Sequence, residues 1–193
     1  VAHIQAGEVS GNVDGLTRHA LARYAHIHFA ANKDASDRLE RTGEQVERIY
    51  NVGAPQIDEF VNGNVASKET LRRQYNFDVE QEYILIVQHP VTEEHQKSGE
   101  QMRITLEAVK DVDMPAILIA PNSDAGSVAV QQAIESYASI KVSIHRNVKR
   151  EDYAGFLATA AVIIGNSSSG LLEAPTFELP CVNIGRRQIG RMQ

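Results

Sequence analysis

Cysteine is almost missing from this sequence: Cys181 stands alone among 193 residues. A single thiol cannot close an intrachain disulfide, so disulfide scaffolding is excluded and a reducing compartment, the cytoplasm, is expected. Long hydrophobic runs are absent too. The longest, such as Tyr83 to Val87 and Ala116 to Ala120, reach about five residues, against the roughly 20 a helix needs to cross a bilayer, so no membrane association is expected. Positive charge is in deficit: 19 Lys and Arg face 25 Asp and Glu, a formal net charge of -6, which disfavours nonspecific nucleic-acid binding but leaves a small anionic ligand open. No Cys/His spacing suits zinc, and neither a P-loop lysine motif nor a G-x-G-x-x-G fingerprint occurs. No metal and no cofactor is expected. Sequence repeats and low-complexity tracts are also lacking.

What the chain has is alternation. Its apolar fraction of 42% is ordinary for a globular protein with a sizeable core. Short β-branched runs alternate with segments of helical period, which predicts an α/β fold of parallel sheets covered by helices. The pattern predicts strands at 1–5, 26–30 and 48–52, with helices at about 15–24 and 34–41. Asn62-Gly63-Asn64 offers a linker, since Gly and Asn tolerate turn conformations and the apolar pattern lapses there. Beyond it, strands are expected at 83–88, 116–120, 141–144, 161–164 and 181–184, with helices opening at Ser98 and Ser127. The organisation reads as 1–64 and 65–193. Val1 is not an initiator methionine, VAHIQ reads as the middle of a sheet, and Arg191-Met192-Gln193 stops soon after a strand. A fragment of a longer polypeptide is therefore expected.

The richest stretch is IIGNSSSGLLEAP, residues 163–175. An apolar strand runs into Asn166, three serines and Gly170, and then into a helix expected to carry Glu173. Two readings compete. Ser and Asn commonly cap a helix. A helix start also offers unpaired N–H groups and partial positive charge to a diphosphate, with Ser167, Ser168 and Ser169 adding hydroxyl donors, while an ionised Glu173 accepts hydrogen bonds from a ribose diol. In an open parallel sheet, ligands sit beyond the carboxyl ends of the strands. Gln88-His89-Pro90, Pro121-Asn122, His145-Arg146 and Asn166 to Ser169 all fall at such ends. His89 there either binds phosphate, transfers a proton, or is simply structural. Arg146, Lys149, Arg150, Arg186, Arg187 and Arg191 form two basic clusters, one or two members of which could fork to phosphate oxygens. In HIQAGEVSGNVDGLTRHA, Asp14 and Arg18 share a helix face four residues apart. They form either a surface ion pair or, with Gly7 and Gly11 letting the loop approach a ligand, a sugar-handling pair.

Taken in order, HIQAGEVSGNVDGLTRHA, GAPQID, QHPVT, PNSDAGS, GNSSSGLLEAP and NIGRRQIGR resemble the hydrolysing UDP-N-acetylglucosamine 2-epimerases, in particular the branch feeding sialic-acid-type sugars. The likeness covers nearly the whole chain. It implies Rossmann-like parallel sheets of the glycosyltransferase-B type: the latter part of a first domain over 1–64 and a second, UDP-binding domain over 65–193 that is near complete but lacks its C-terminal end. It also implies a UDP-sugar substrate and a homo-oligomer at full length. The expected reaction converts UDP-N-acetylglucosamine and water into UDP and N-acetylmannosamine, by eliminating UDP across C1 and C2 and adding water to the resulting glycal. Carried over by motif, Ser167 and Ser168 fall to the nucleotide diphosphate and Glu173 to the ribose; Asn166 and Arg146, at strand ends, are further candidates for binding UDP. His89, Asp14 and Arg18 belong to the catalytic cleft. Gln5 departs from the acidic residue of many relatives, and a neutral amide cannot act as a general base, so Glu8 becomes a substitute candidate. Two alternatives stand beside epimerisation: a glycosyltransferase with the same grip, or a noncatalytic UDP-sugar-binding fragment.

Overall fold

A computed structural model describes residues 1–9, 14–121, 124–137 and 141–191. The chain divides into two compact units, Val1–Glu59 joined by the end of the chain from Arg186, and Phe60–Gly185.

In the first unit β1 (Ala2–Ala6), β2 (Ile27–Ala30) and β3 (Ile49–Asn51) form a parallel sheet in the order β1-β2-β3. Helix α1 (Asp14–Tyr24) connects β1 to β2, α2 (Lys33–Arg41) connects β2 to β3, and α3 (Pro55–Val61) follows. The Asn32 side chain caps α2 by accepting from the Ala35 N–H at 2.8 Å, and Asp34 near its start with Arg38 and Arg41 near its end suit the helix dipole. Ala6, Ala22, Ala30, Ala35 and Leu39 make the core. Small side chains let α2 approach so closely that a Cβ at Gly7, which has φ +79°, would collide with the Ala35 carbonyl.

In the second unit α4 (Lys68–Tyr75) precedes five parallel strands: β4 (Ile84–Val87), β5 (Ala116–Ile119), β6 (Val142–His145), β7 (Val162–Gly165) and β8 (Cys181–Asn183). Their order is β6-β5-β4-β7-β8. Side-chain alternation along β4 builds both cores. Tyr83, Leu85 and Val87 pack with Leu71 of α4 and with Phe156 and Leu157 of α7 (Arg150–Thr159). Ile84 and Ile86 pack with Met102, Leu106 and Val109 of α5 (Ser98–Val112) and with Val130, Ala133 and Ile134 of α6 (Ser127–Ser136). A strand covered on both faces accounts for its unbroken apolar run.

The strand expected at 181–184 forms as β8 at the edge of the sheet, with every residue exposed, Cys181 included. One expectation is corrected here. The helix expected to carry Glu173 is a single turn, α8 (Ser169–Leu172), ended at Glu173 and followed by a 3-10 turn over Ala174–Phe177. Pro175 has no N–H to continue an α-helical ladder, which stops the helix there. Among the described residues no helix is long and apolar enough to cross a membrane, and no cluster of His, Cys, Asp and Glu could hold a metal ion.

Candidate functional site

The strand order of the second unit reverses at β4. The chain steps outward from β4 to β5 and β6, then crosses to β7 on the other side of β4. After β4 it leads to α5 on one sheet face, whereas after β7 it leads to Ala174 and Phe177, which pack on the other. Loops that diverge in this way open a crevice beyond the carboxyl ends of the two strands, the usual ligand position in such sheets. His89 follows β4 and the serine loop follows β7.

In that loop the three serines do different things. The Ser167 N–H donates to Val87 O at 3.3 Å, and its hydroxyl accepts from the Ser169 N–H at 3.3 Å. The Ser168 carbonyl accepts from the Leu171 and Leu172 N–H groups at 3.0 and 2.9 Å, and Ser168 is the N-cap residue of the one-turn helix, its side chain making no capping hydrogen bond. Ser169 turns inward and is buried. Its hydroxyl accepts from the Tyr153 hydroxyl at 2.6 Å and donates to Glu173 Oε2 at 2.7 Å. Both Arg150 Nη atoms lie 3.4 Å from Glu173 Oε1, and the Arg150 guanidinium stacks 4.6 Å over the Phe60 ring. Burial pushes the Tyr153 phenol well above its ordinary pKa, so it remains a proton donor at the head of this relay. The Glu173 side chain is only 14% exposed, and its carboxylate is fixed by the Ser169 hydroxyl on one oxygen and the Arg150 guanidinium on the other.

Asn166 is buried and hydrogen-bonded on both sides of its amide: it accepts from the His89 N–H and donates to the His89 carbonyl, each at 2.7 Å. Arg146 stands elsewhere, on an open hollow of about 540 Å³ at the carboxyl ends of β5 and β6. There it lies 3.7 Å from Glu135 and beside Pro121, Ser127 and Gln131. Asn122 falls outside the described residues.

In the first unit, Gln5 sits in a bulge at the end of β1 with φ +56°, a left-handed conformation uncommon for a side-chain-bearing residue. Its Nε2 donates to Gln56 Oε1 at 2.6 Å. Glu8 is held by the Asn32 amide at 3.3 Å and by Arg191 Nη1 at 3.8 Å, with both members of that ion pair 8% exposed. Arg18, on α1, lines a small hollow of about 40 Å³ with Gly7, Glu8 and Arg38. Asp14 opens α1, but its side chain lies outside the described residues.

A family model described as UDP-N-acetylglucosamine 2-epimerase matches residues 1–193. The chain belongs to this family. Among curated relatives, the hydrolysing UDP-N,N'-diacetylbacillosamine 2-epimerase of Legionella pneumophila is 35% identical, the match covering 97% of this chain and 50% of the relative. The UDP-N-acetylglucosamine 2-epimerase of Neisseria meningitidis is 32% identical over 99% of this chain and 50% of its own length. This family member thus spans about half the length of these relatives. Its fold matches a Neisseria meningitidis UDP-GlcNAc 2-epimerase structure bound to UDP-GlcNAc, with TM-score 0.82 and 16% identity over 97% of this chain and 53% of that one. It also matches the S. aureus MnaA–UDP co-structure, with TM-score 0.76 and 19% identity over 97% and 51%. The Rossmann-like, glycosyltransferase-B type of parallel sheet is thereby shown.

Within this epimerase-family chain, Asn166 joins His89, after β4, to the serine loop after β7, and Ser169 joins that loop to Glu173, while Arg146 lines the hollow beside β5 and β6. Sequence reasoning missed Tyr153 and gave Arg150 no partner. Arg150 and Tyr153 stand three apart at the start of α7 and so share a face, but nothing local to them names Ser169 and Glu173 as their partners.

Proposed function

We propose that the chain forms the nucleotide-binding part, with a portion of the partner domain, of a hydrolysing UDP-acetamido-sugar 2-epimerase. The observation that carries this reading is the Tyr153–Ser169–Glu173 relay. It fixes a carboxylate six residues beyond Ser167, at the strand-order reversal, where a ribose diol and a diphosphate can be held together. In this reading the Ser167 and Ser168 hydroxyls donate to the diphosphate, Glu173 accepts from the ribose hydroxyls, and His89 faces the phosphates. Asp14 and Arg18 act at the sugar. The reaction removes the C2 proton to a base, breaks the C1–O bond so that UDP leaves, and gives a glycal. Water then supplies a hydroxyl to C1 and a proton to C2 from the opposite face, yielding the 2-epimeric free sugar. At full length the protein is proposed to be a homo-oligomer, as the family resemblance implies, in the cytoplasm, which suits its near lack of cysteine.

Gln5 favours a second reading, a chain that holds a UDP-sugar without turning it over, because an amide cannot abstract the C2 proton near neutral pH. Incubating the whole polypeptide with UDP-N-acetylglucosamine in D2O separates the two. Free N-acetylmannosamine carrying deuterium at C2 supports epimerisation. Saturable UDP binding with no sugar released supports the second reading, and transfer of the sugar to an acceptor overturns both in favour of a glycosyltransferase.

A further inference from the structure

We propose that Asn166 is a positioning residue that fixes His89 through its backbone rather than by touching the ligand; this rests on the functional reading above only in so far as His89 meets the phosphates. Asn166 is 4% exposed, too enclosed to present its amide to a ligand. Its Oδ1 receives the His89 N–H and its Nδ2 reaches the His89 carbonyl, both at 2.7 Å. Reversing the amide would set oxygen against oxygen and N–H against N–H, so the pair of bonds admits one orientation. Backbone bonds strengthen the joint: the Asn166 and Ser167 N–H groups share Val87 O at 3.2 and 3.3 Å.

The approach of the two strands at this point is close enough to require glycine. Gly165 has φ +138°, and a Cβ there would collide with the Val87 carbonyl oxygen. On the other side of the loop, Gln88 is buried and its Oε1 accepts from the Thr105 hydroxyl at 2.7 Å, tying the residue before His89 to α5. The two loops leave on opposite faces of the sheet, so they would otherwise be free to part. Asn166 spans them at the floor of the crevice and holds the His89 backbone in one place. A ligand that meets the imidazole then finds it already positioned, without an ordering cost on binding.

A double-mutant cycle for UDP affinity, with amide hydrogen exchange, tests this in the whole polypeptide. Asn166→Ala is expected to weaken UDP about tenfold, His89→Ala by a similar factor, and the double variant no more than about twofold beyond His89→Ala, since Asn166 acts only through His89. Multiplying effects would mean that Asn166 meets the ligand itself and would overturn the proposal. Independently of any ligand, the His89 amide should exchange at least about tenfold faster in Asn166→Ala while the amides of β4 keep their protection; unchanged exchange at His89 also overturns it. Should Asn166→Ala not fold, Asn166→Leu serves. It keeps the side-chain size but removes the acceptor for the His89 N–H, and the same exchange change is expected. A wild-type chain that ignores UDP would count against the functional reading alone, and exchange at His89 would still decide the role of Asn166.

Discussion

Glu173 is the side chain on which most of the proposed grip rests. Its carboxylate is fixed before any ligand arrives, by the Ser169 hydroxyl on one oxygen and Arg150 on the other. Removing it in Glu173→Ala takes away the equivalent of one charge-assisted bond to a diol, about 1.5–3 kcal/mol, so UDP affinity measured by calorimetry should fall roughly ten- to hundredfold. Ser169→Ala should weaken UDP by a smaller factor, about three- to tenfold, by freeing the carboxylate and stranding the buried Tyr153 hydroxyl. Tyr153→Phe leaves the Ser169–Glu173 bond in place and should cost under about threefold. The types and order of residues 166–173 were legible in the sequence, because small polar residues after a β-branched run mark a strand-end loop. The division of labour among the three serines was not legible: it depends on Tyr153, which only the packing of α7 brings to Ser169. The pairing of Asn166 with His89 was hidden in the same way, across 77 residues.

At the scale of elements, the strand ends decide what the loops can do. Gly165→Ala would force β4 and β7 apart at their last paired residues, since neither the positive φ nor the Val87 carbonyl tolerates a Cβ. A loss of more than about 3 kcal/mol in denaturant unfolding is expected, as for other strained overpacked positions. The first sheet carries a pH response. Burial chiefly, and then the positive neighbours His28 and Arg18, hold the His3 pKa below its ordinary 6.5. In the unfolded chain His3 titrates near 6.5, so between that pH and its lower folded value the unfolded state binds the extra proton. Stability contributed here is therefore intact above about pH 7 and falls as the pH drops below about 6.5. His3→Gln should flatten that part of a stability–pH curve, and an unchanged slope would contradict the burial of His3. The strands were legible as short apolar runs, and α1, α2, α5 and α6 by their helical period. Helices α3 and α4 were not, since Phe60 and Leu71 are the sole fully buried residues of each and one anchor sets no period. The short α8 misled for the opposite reason: the capping residues of a helix start are present, but Pro175 leaves room for one turn.

For the whole molecule, family membership rests on a match over every residue, while the chain accounts for about half of its relatives' length. Activity therefore belongs to the proposed function, whereas nucleotide binding can be asked of this chain directly, because the serine loop, His89, Glu173 and their supports all lie within the unit spanning Phe60–Gly185. Heteronuclear NMR titration of the 193-residue chain with UDP is the most direct measurement. Saturable shifts are predicted at the amides of His89, Ser167, Ser168 and Glu173, weakened in Glu173→Ala. Shifts confined to other loops, or a titration indifferent to Glu173→Ala, would contradict a nucleotide held at the ends of β4 and β7.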